Sequence, residues 1–204
     1  MHADNLKAIL RKLLQIRRED NLVMLYPDAT QAFIDDDNHH EYDALLNQVA
    51  VTTTHLMAVN LWRNHYTVVE LEILHNEITN TTRIKRYFID PKANVPTAGL
   101  QRCIMLMTKI CTTVWPRCVV EDLNCVIDRR LQLNGVSCGV YAAYWLIERL
   151  HRNVAWNDIV RQLTQTIRGD LTRADNFMEN SVRPALQALF TPRARELPGA
   201  MMEL

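Results

Sequence analysis

Apolar positions first recur at helical spacing: Leu6, Ile9, Leu10, Leu13 and Leu14 line one stripe, with Lys7, Arg11, Lys12, Arg17 and Arg18 between them. This pattern predicts a helix over residues 4–18. Residues 22–47 carry a short apolar run, Pro27, the acidic cluster Asp35 to Asp37 and the pair His39 and His40, and read as irregular structure with short helices. The next segments are β-prone: HLMAVNL over 55–61, YTVVELEIL over 66–74 and, after the polar HNEITNTT, RIKRYFI over 83–89. Together they predict a three-stranded meander. Asp90-Pro91 ends its third strand, because proline cannot donate to a ladder and holds its predecessor extended.

Leu100, Ile104, Met107 and Cys111 predict a helix over 100–114, stopped by Trp115-Pro116, and a strand pattern resumes over 118–127. Beyond a loop at 129–137, a strongly apolar helix is expected over 138–150, with two more over 157–167 and 175–190. The residues from 192 to 204, with Pro192 and Pro198, read as a frayed tail. Strands flanked by separate helical blocks make the fold class α+β, with a small, mainly antiparallel sheet flanked by helices.

Length and charge narrow the function classes. At 204 residues and 48% hydrophobic content the chain suits a single domain over 1–204, residues 1–20 being a possible substrate-contacting addition. Lysine plus arginine equals aspartate plus glutamate at 23 each, so no global field draws the protein to nucleic acid or to an anionic membrane. The longest apolar runs, near 103–107 and 140–147, fall well short of the roughly 20 residues that span a bilayer. The charged, amphipathic amino terminus is unlike a signal peptide, so a soluble intracellular protein is expected, in cytoplasm or nucleus. The five cysteines, at 103, 111, 118, 125 and 138, lack zinc-finger spacing and are odd in number, and His39-His40 has no third ligand nearby. No disulfide framework and no metal site are expected.

Four of those cysteines sit in or beside apolar segments, where a thiol behaves as a small hydrophobe. Cys138 instead stands where the polar loop Gln132-Leu133-Asn134-Gly135-Val136-Ser137 enters an apolar helix. Unpaired amides and the positive end of the helix dipole stabilise a thiolate there. A thiol nucleophile needs a base and a group to orient that base. His65, at the start of one predicted strand, and Asp90, at the end of its antiparallel neighbour, are the candidates: strand ends can bring them together in the chain order His, Asp, Cys.

The run QLNGVSCGVY resembles the active-site signature of the SUMO and ubiquitin-like protease family, whose clan includes the adenovirus protease. HLMAVNL followed by NHYTVVEL is similar to that family's paired strands around the histidine, and VVEDLNCVIDRRLQLNG to the strand leading to its glutamine. The resemblance implies an adenovirus-protease-like fold with a papain-like thiol mechanism that needs no cofactor. His65 would be base and then acid, Asp90 the orienter and Cys138 the acyl-enzyme nucleophile, with Gln132 and the Cys138 N–H as oxyanion donors. Tyr66 stands where the family usually has tryptophan, and with Trp62, Asn134 and Gly135 it would border the channel for a substrate's Gly-Gly tail. The implied partners are ubiquitin, SUMO or NEDD8 and their conjugates, acted on by a monomer. Tyr66 and the amino-terminal helix depart from the SUMO-protease pattern and lean toward ubiquitin.

The same residues admit other readings. A viral-type maturation protease would cleave structural polyproteins, a clan-related acetyltransferase would use the same cysteine for acyl transfer, and an inactive module would only bind a ubiquitin-like protein. In a bacterial effector or a viral enzyme the compartment would be that of the host cell. Asp35 to Asp37, Arg129 and Arg130 read as solvated charges and receive no role.

Overall fold

The computed structural model describes residues 6, 8–9, 11–12, 21–26, 39–92, 98–122, 132, 137–167 and 170–188. The chain divides into two compact units, one formed by residues 18–129 and the other by 1–17 together with 130–204.

The first unit is built on a five-stranded sheet in simple chain order, from β1 (Leu22–Leu25) through β2 (His55–Trp62), β3 (His65–Asn76) and β4 (Thr81–Ile89) to β5 (Cys118–Asp122). The predicted meander is β2, β3 and β4, and its two pairings are antiparallel; both outer pairings, β1 with β2 and β4 with β5, are parallel. The sheet is therefore mixed. β1 and helix α1 (His39–Leu46) lie in the region expected to be irregular. β1 is only four residues long, and its pairing partner is more than thirty positions away, so no local periodicity announces it. Residues 123–127 of the predicted fifth strand lie outside the described residues.

Helix α2 (Ala98–Val114) packs on β2, β3 and β5. It buries Leu100, Cys103, Ile104, Met107, Ile110 and Cys111, a stripe at the spacing of successive turns, against Leu56, Ala58, Val69, Leu71, Ile73 and Ile84 of the sheet. Burial pushes the thiols of Cys103 and Cys111 up to about 12, so both stay protonated. From Tyr66 to Leu71 the central strand is buried on both of its faces, which is why YTVVEL reads as a nearly continuous apolar run rather than an alternating one.

Two features fix where the β2–β3 hairpin ends. Its turn is only two residues long, and Arg63 and Asn64 have φ of 46° and 63°, the left-handed pair that a tight hairpin demands. At the buried center of the ladder, Asn60 Nδ2 donates to Thr67 Oγ1 at 3.0 Å. A slip of one residue would break that bond and turn His65 to the opposite face. Arginine is a costly choice at positive φ. Relief of about 1–2 kcal/mol of steric strain outweighs the roughly 0.5–1 kcal/mol that glycine loses in chain entropy. Arg63→Gly is thus expected to raise the denaturation midpoint; a lower midpoint would show that contacts of the arginine side chain outweigh the strain.

The second unit is helical. Leu6 and Ile9, on the predicted amino-terminal helix, are helical and buried, as expected of that apolar stripe. Helix α3 (Cys138–His151) is buried almost all round, as its sequence CGVYAAYWLIERLH predicts. Just past its end Asn153 takes φ of 54°, in the left-handed region, and the Val154 N–H donates to the Glu148 carbonyl at 3.2 Å. Helix α4 (Trp156–Ile167) follows. The last predicted helix begins earlier than expected, as α5 (Leu171–Phe177), because Asp170 caps it by accepting the Thr172 N–H at 2.9 Å. It then widens into a π-helical turn, Met178–Val182, before continuing as α6 (Arg183–Ala188). The tail from 192 to 204 lies outside the described residues. No described helix is long and apolar enough to cross a membrane.

Candidate active site

His65 opens β3 directly after the hairpin turn, and Asp90 follows the last residue of β4. Val68 pairs with Ile89, so Asp90 falls across from Thr67, on the face that also carries His65. The side chains meet: His65 Nε2 lies 2.7 Å from Asp90 Oδ1. Asp90 is fully buried, and the His65 side chain is 14% exposed. Oδ1 also accepts the Lys92 N–H at 2.8 Å, so the Asp90-Pro91 turn aims the carboxylate at the ring. With a carboxylate as acceptor, Nε2 carries the proton and Nδ1 is the basic nitrogen.

Cys138 is the first residue of α3 and is 3% exposed. The first helical bonds run from the Val140 and Tyr141 amides to the Ser137 carbonyl, at 2.9 and 3.0 Å. Ser137 occupies the N-cap but does not cap: its backbone is helical, at φ −88° and ψ −2°, and its side chain makes no cap bond. Instead its hydroxyl donates to Glu179. Glu179 is gripped by Arg183, whose Nε donates to Oε2 at 2.6 Å and whose second nitrogen donates to Oε1 at 2.8 Å. Arg183, and then the Ser137 hydroxyl, hold the Glu179 carboxyl below the usual glutamate range. Further along the same helix pair, the Tyr141 hydroxyl donates to Asp175 Oδ1 at 3.2 Å, and the rings of Tyr144 and Phe177 meet edge to face.

Sequence reasoning did not single out Ser137, Glu179 or Arg183. The spacing of Glu179 and Arg183, one helical turn apart, signals an ion pair, but nothing local links it to a loop some forty residues earlier. The depressed carboxyl has a testable consequence. A folded-state pKa below the unfolded value stabilises the protein above the ordinary glutamate range, and that contribution is lost as pH falls through the lowered value. Glu179→Gln is therefore expected to make the unfolding midpoint less sensitive to acid below about pH 4.5 than in the wild type.

Gln132 is fully buried. Tyr66 is also buried and lies on the face of β3 opposite His65. Trp62 is the last residue of β2 and pairs with His65, but its side chain lies outside the described residues, as do Asn134 and Gly135. The structure also contains a histidine–carboxylate pair that the sequence did not suggest: His55 Nδ1 lies 2.9 Å from Glu70 Oε1, at the other end of the hairpin and on its other face. Among the described residues, no three His, Cys, Asp or Glu side chains converge as metal ligands would.

No family model matches this chain, and comparison with curated proteins finds no match. Solved structures do resemble it. A de-sumoylating protease superposes with a TM-score of 0.60 over 91% of this chain and 76% of its own, at 9% identity. The central domain of an uncharacterized protein from Legionella pneumophila gives a TM-score of 0.55 over 93% of this chain and 97% of its own, at 13% identity. The SUMO protease Ulp1, with its catalytic cysteine oxidized to a sulfinic acid, gives 0.51 over 88% and 78%, at 10% identity. The fold of this chain is thus that of the SUMO proteases, as the signature around Cys138 led us to expect.

Proposed function

We propose that this protein is a thiol hydrolase that cleaves the bond after the Gly-Gly carboxyl terminus of ubiquitin or a related modifier, with Cys138 as nucleophile. The observation that carries the reading is the 2.7 Å hydrogen bond between His65 and the fully buried Asp90, a base already oriented for proton transfer. Its Nδ1 takes the proton from the Cys138 thiol and returns it to the leaving amine. The acyl-enzyme is then hydrolysed by water that the same nitrogen activates. Gln132 and the Cys138 N–H receive the oxyanion.

Access to Cys138 supports the substrate class. A nucleophile only 3% exposed admits a thin, extended chain end and rejects one with a bulky side chain next to the scissile bond. A glycine pair is such an end. Asn134 and Gly135, close to Cys138 in sequence, and Trp62 and Tyr66, flanking His65 along its hairpin, are the residues we assign to the tail channel. A fold shared with a de-sumoylating protease supports a modifier as partner.

The test is covalent labelling by ubiquitin, SUMO and NEDD8 carrying a thiol-reactive carboxyl terminus, with Cys138→Ala as control. An adduct with one modifier, lost in the variant, is expected and names the substrate. Failure of every probe to label the wild type would sink this proposal.

A further inference from the structure

Three contacts join the helix that Cys138 opens to residues 175–179. Ser137 meets Glu179, Tyr141 meets Asp175, and Tyr144 meets Phe177. Burial and then the Asp175 carboxylate push the Tyr141 hydroxyl up, so it remains protonated and able to donate. The contact nearest the nucleophile is the unusual one. A serine at a helix N-cap ordinarily adopts extended backbone and turns its oxygen onto an amide of the first turn. Ser137 does neither. Its hydroxyl is drawn away by Glu179, and Glu179 is delivered by a π-helical turn, in which the Arg183 N–H donates to the Met178 carbonyl. Such turns are frequent at functional sites.

The ψ angle of Ser137 sets the plane of the peptide that joins it to Cys138, and therefore the direction of the Cys138 N–H. Held at −2°, that peptide points one way; relaxed to the extended geometry of an ordinary N-cap, it would turn through more than a right angle. We propose that Glu179, braced by Arg183, is a positioning residue that keeps Ser137 from capping α3 and thereby aims the Cys138 N–H at the reaction's oxyanion. This rests on the thiol-hydrolase reading above. Glu179 touches no reacting atom; it acts through Ser137.

The discriminating experiment compares Glu179→Ala, Ser137→Ala and the double variant on carboxyl-terminal coumarin amides of ubiquitin and SUMO, alongside alkylation of Cys138 by iodoacetamide. Alkylation is a displacement at carbon and builds no oxyanion. Glu179→Ala should lower kcat by about tenfold or more with KM unchanged, and should leave the alkylation rate within about threefold, because only the oxyanion donor has moved. The double variant should recover most of the lost kcat, since alanine at 137 has no hydroxyl to swing onto the helix. An unchanged kcat in Glu179→Ala overturns the assignment. So does a loss that Ser137→Ala merely adds to, or one that turnover and alkylation share, because both are marks of a structural role. A wild type with neither turnover nor Cys138 alkylation faster than that of a free thiol overturns the hydrolase reading and this inference together.

Discussion

Replacing Cys138 by alanine is expected to lower turnover by about 10⁶, the scale on which removing the nucleophile of a coupled catalytic unit acts. Folding should survive. The side chain shrinks by one sulfur at the start of a helix whose burial rests on Val140, Tyr141, Trp145 and Leu146, so the cost in stability is about 1 kcal/mol. His65→Ala should approach the same loss, because a thiol without its base is mostly protonated at neutral pH. Two controls separate chemistry from general damage. His55→Ala removes the other histidine–carboxylate pair of the same hairpin, and should leave turnover unchanged. Iodoacetamide should leave Cys103 and Cys111 unmodified in the folded protein, since burial keeps both as thiols. The measurement is kcat on carboxyl-terminal reporters of ubiquitin and SUMO. A Cys138→Ala variant that retained a tenth of wild-type turnover would remove the cysteine from the mechanism.

How much of this was legible in the sequence depends on how local each determinant is. The β2–β3–β4 meander was, because each strand carries its own β-prone run, the polar HNEITNTT separates β3 from β4, and Asp90-Pro91 ends β4. The limits of those runs place His65 and Asp90 at strand ends, so their approach could be anticipated before any coordinates. Helix α2 was equally plain, since its buried stripe repeats every three to four residues. β1 was not legible: four residues pairing in parallel with a distant strand leave no periodic trace. The parallel outer pairings were missed for the same reason, since strand direction follows from connections that cross the whole unit. The early start of α5 had a visible signal in Asp170, which precedes Leu-Thr-Arg as an N-cap should. The π-helical turn had none, because its extra width serves a contact with Ser137 that only the fold creates.

The chain thus divides its chemistry between two kinds of support. The proposed base and orienter, His65 and Asp90, sit on β3 and at the end of β4 in one unit, where ladder register fixes them. The proposed nucleophile, Cys138, opens a helix of the other unit, where the Ser137 hydroxyl bonds Glu179 rather than capping the helix. A glutamine, a histidine or an aspartate alone would carry no functional meaning in this sequence; the spacing of Gln132 and Cys138 before an apolar helix is what gives the others their proposed roles.

Asp90 offers the second large effect, and here the geometry predicts a graded series. Its Oδ1 accepts from both His65 Nε2 and the Lys92 amide. In Asp90→Asn the Lys92 N–H still requires an acceptor, so the asparagine carbonyl takes the Oδ1 position. Nε2 then keeps its partner, and Nδ1 remains the basic nitrogen. What is lost is the negative charge that stabilises the imidazolium. The difference between a charged and a neutral hydrogen bond is about 1–2 kcal/mol, so kcat should fall by roughly 10–100-fold. Asp90→Ala removes the acceptor altogether. The ring is then free to rotate or to exchange tautomers, and the Lys92 amide loses its partner. That variant should lose about 10³–10⁴ in kcat, the scale seen when a triad's orienter fails to hold the correct tautomer. It should also be the less stable of the two, because a part-buried amide is left unpaired. KM should change little in either, since Asp90 is fully buried and meets no substrate. The order wild type, Asn, Ala in kcat at constant KM is the signature of an orienting carboxylate. Equal losses in the two variants would mean that the charge, rather than the orientation, carries the effect.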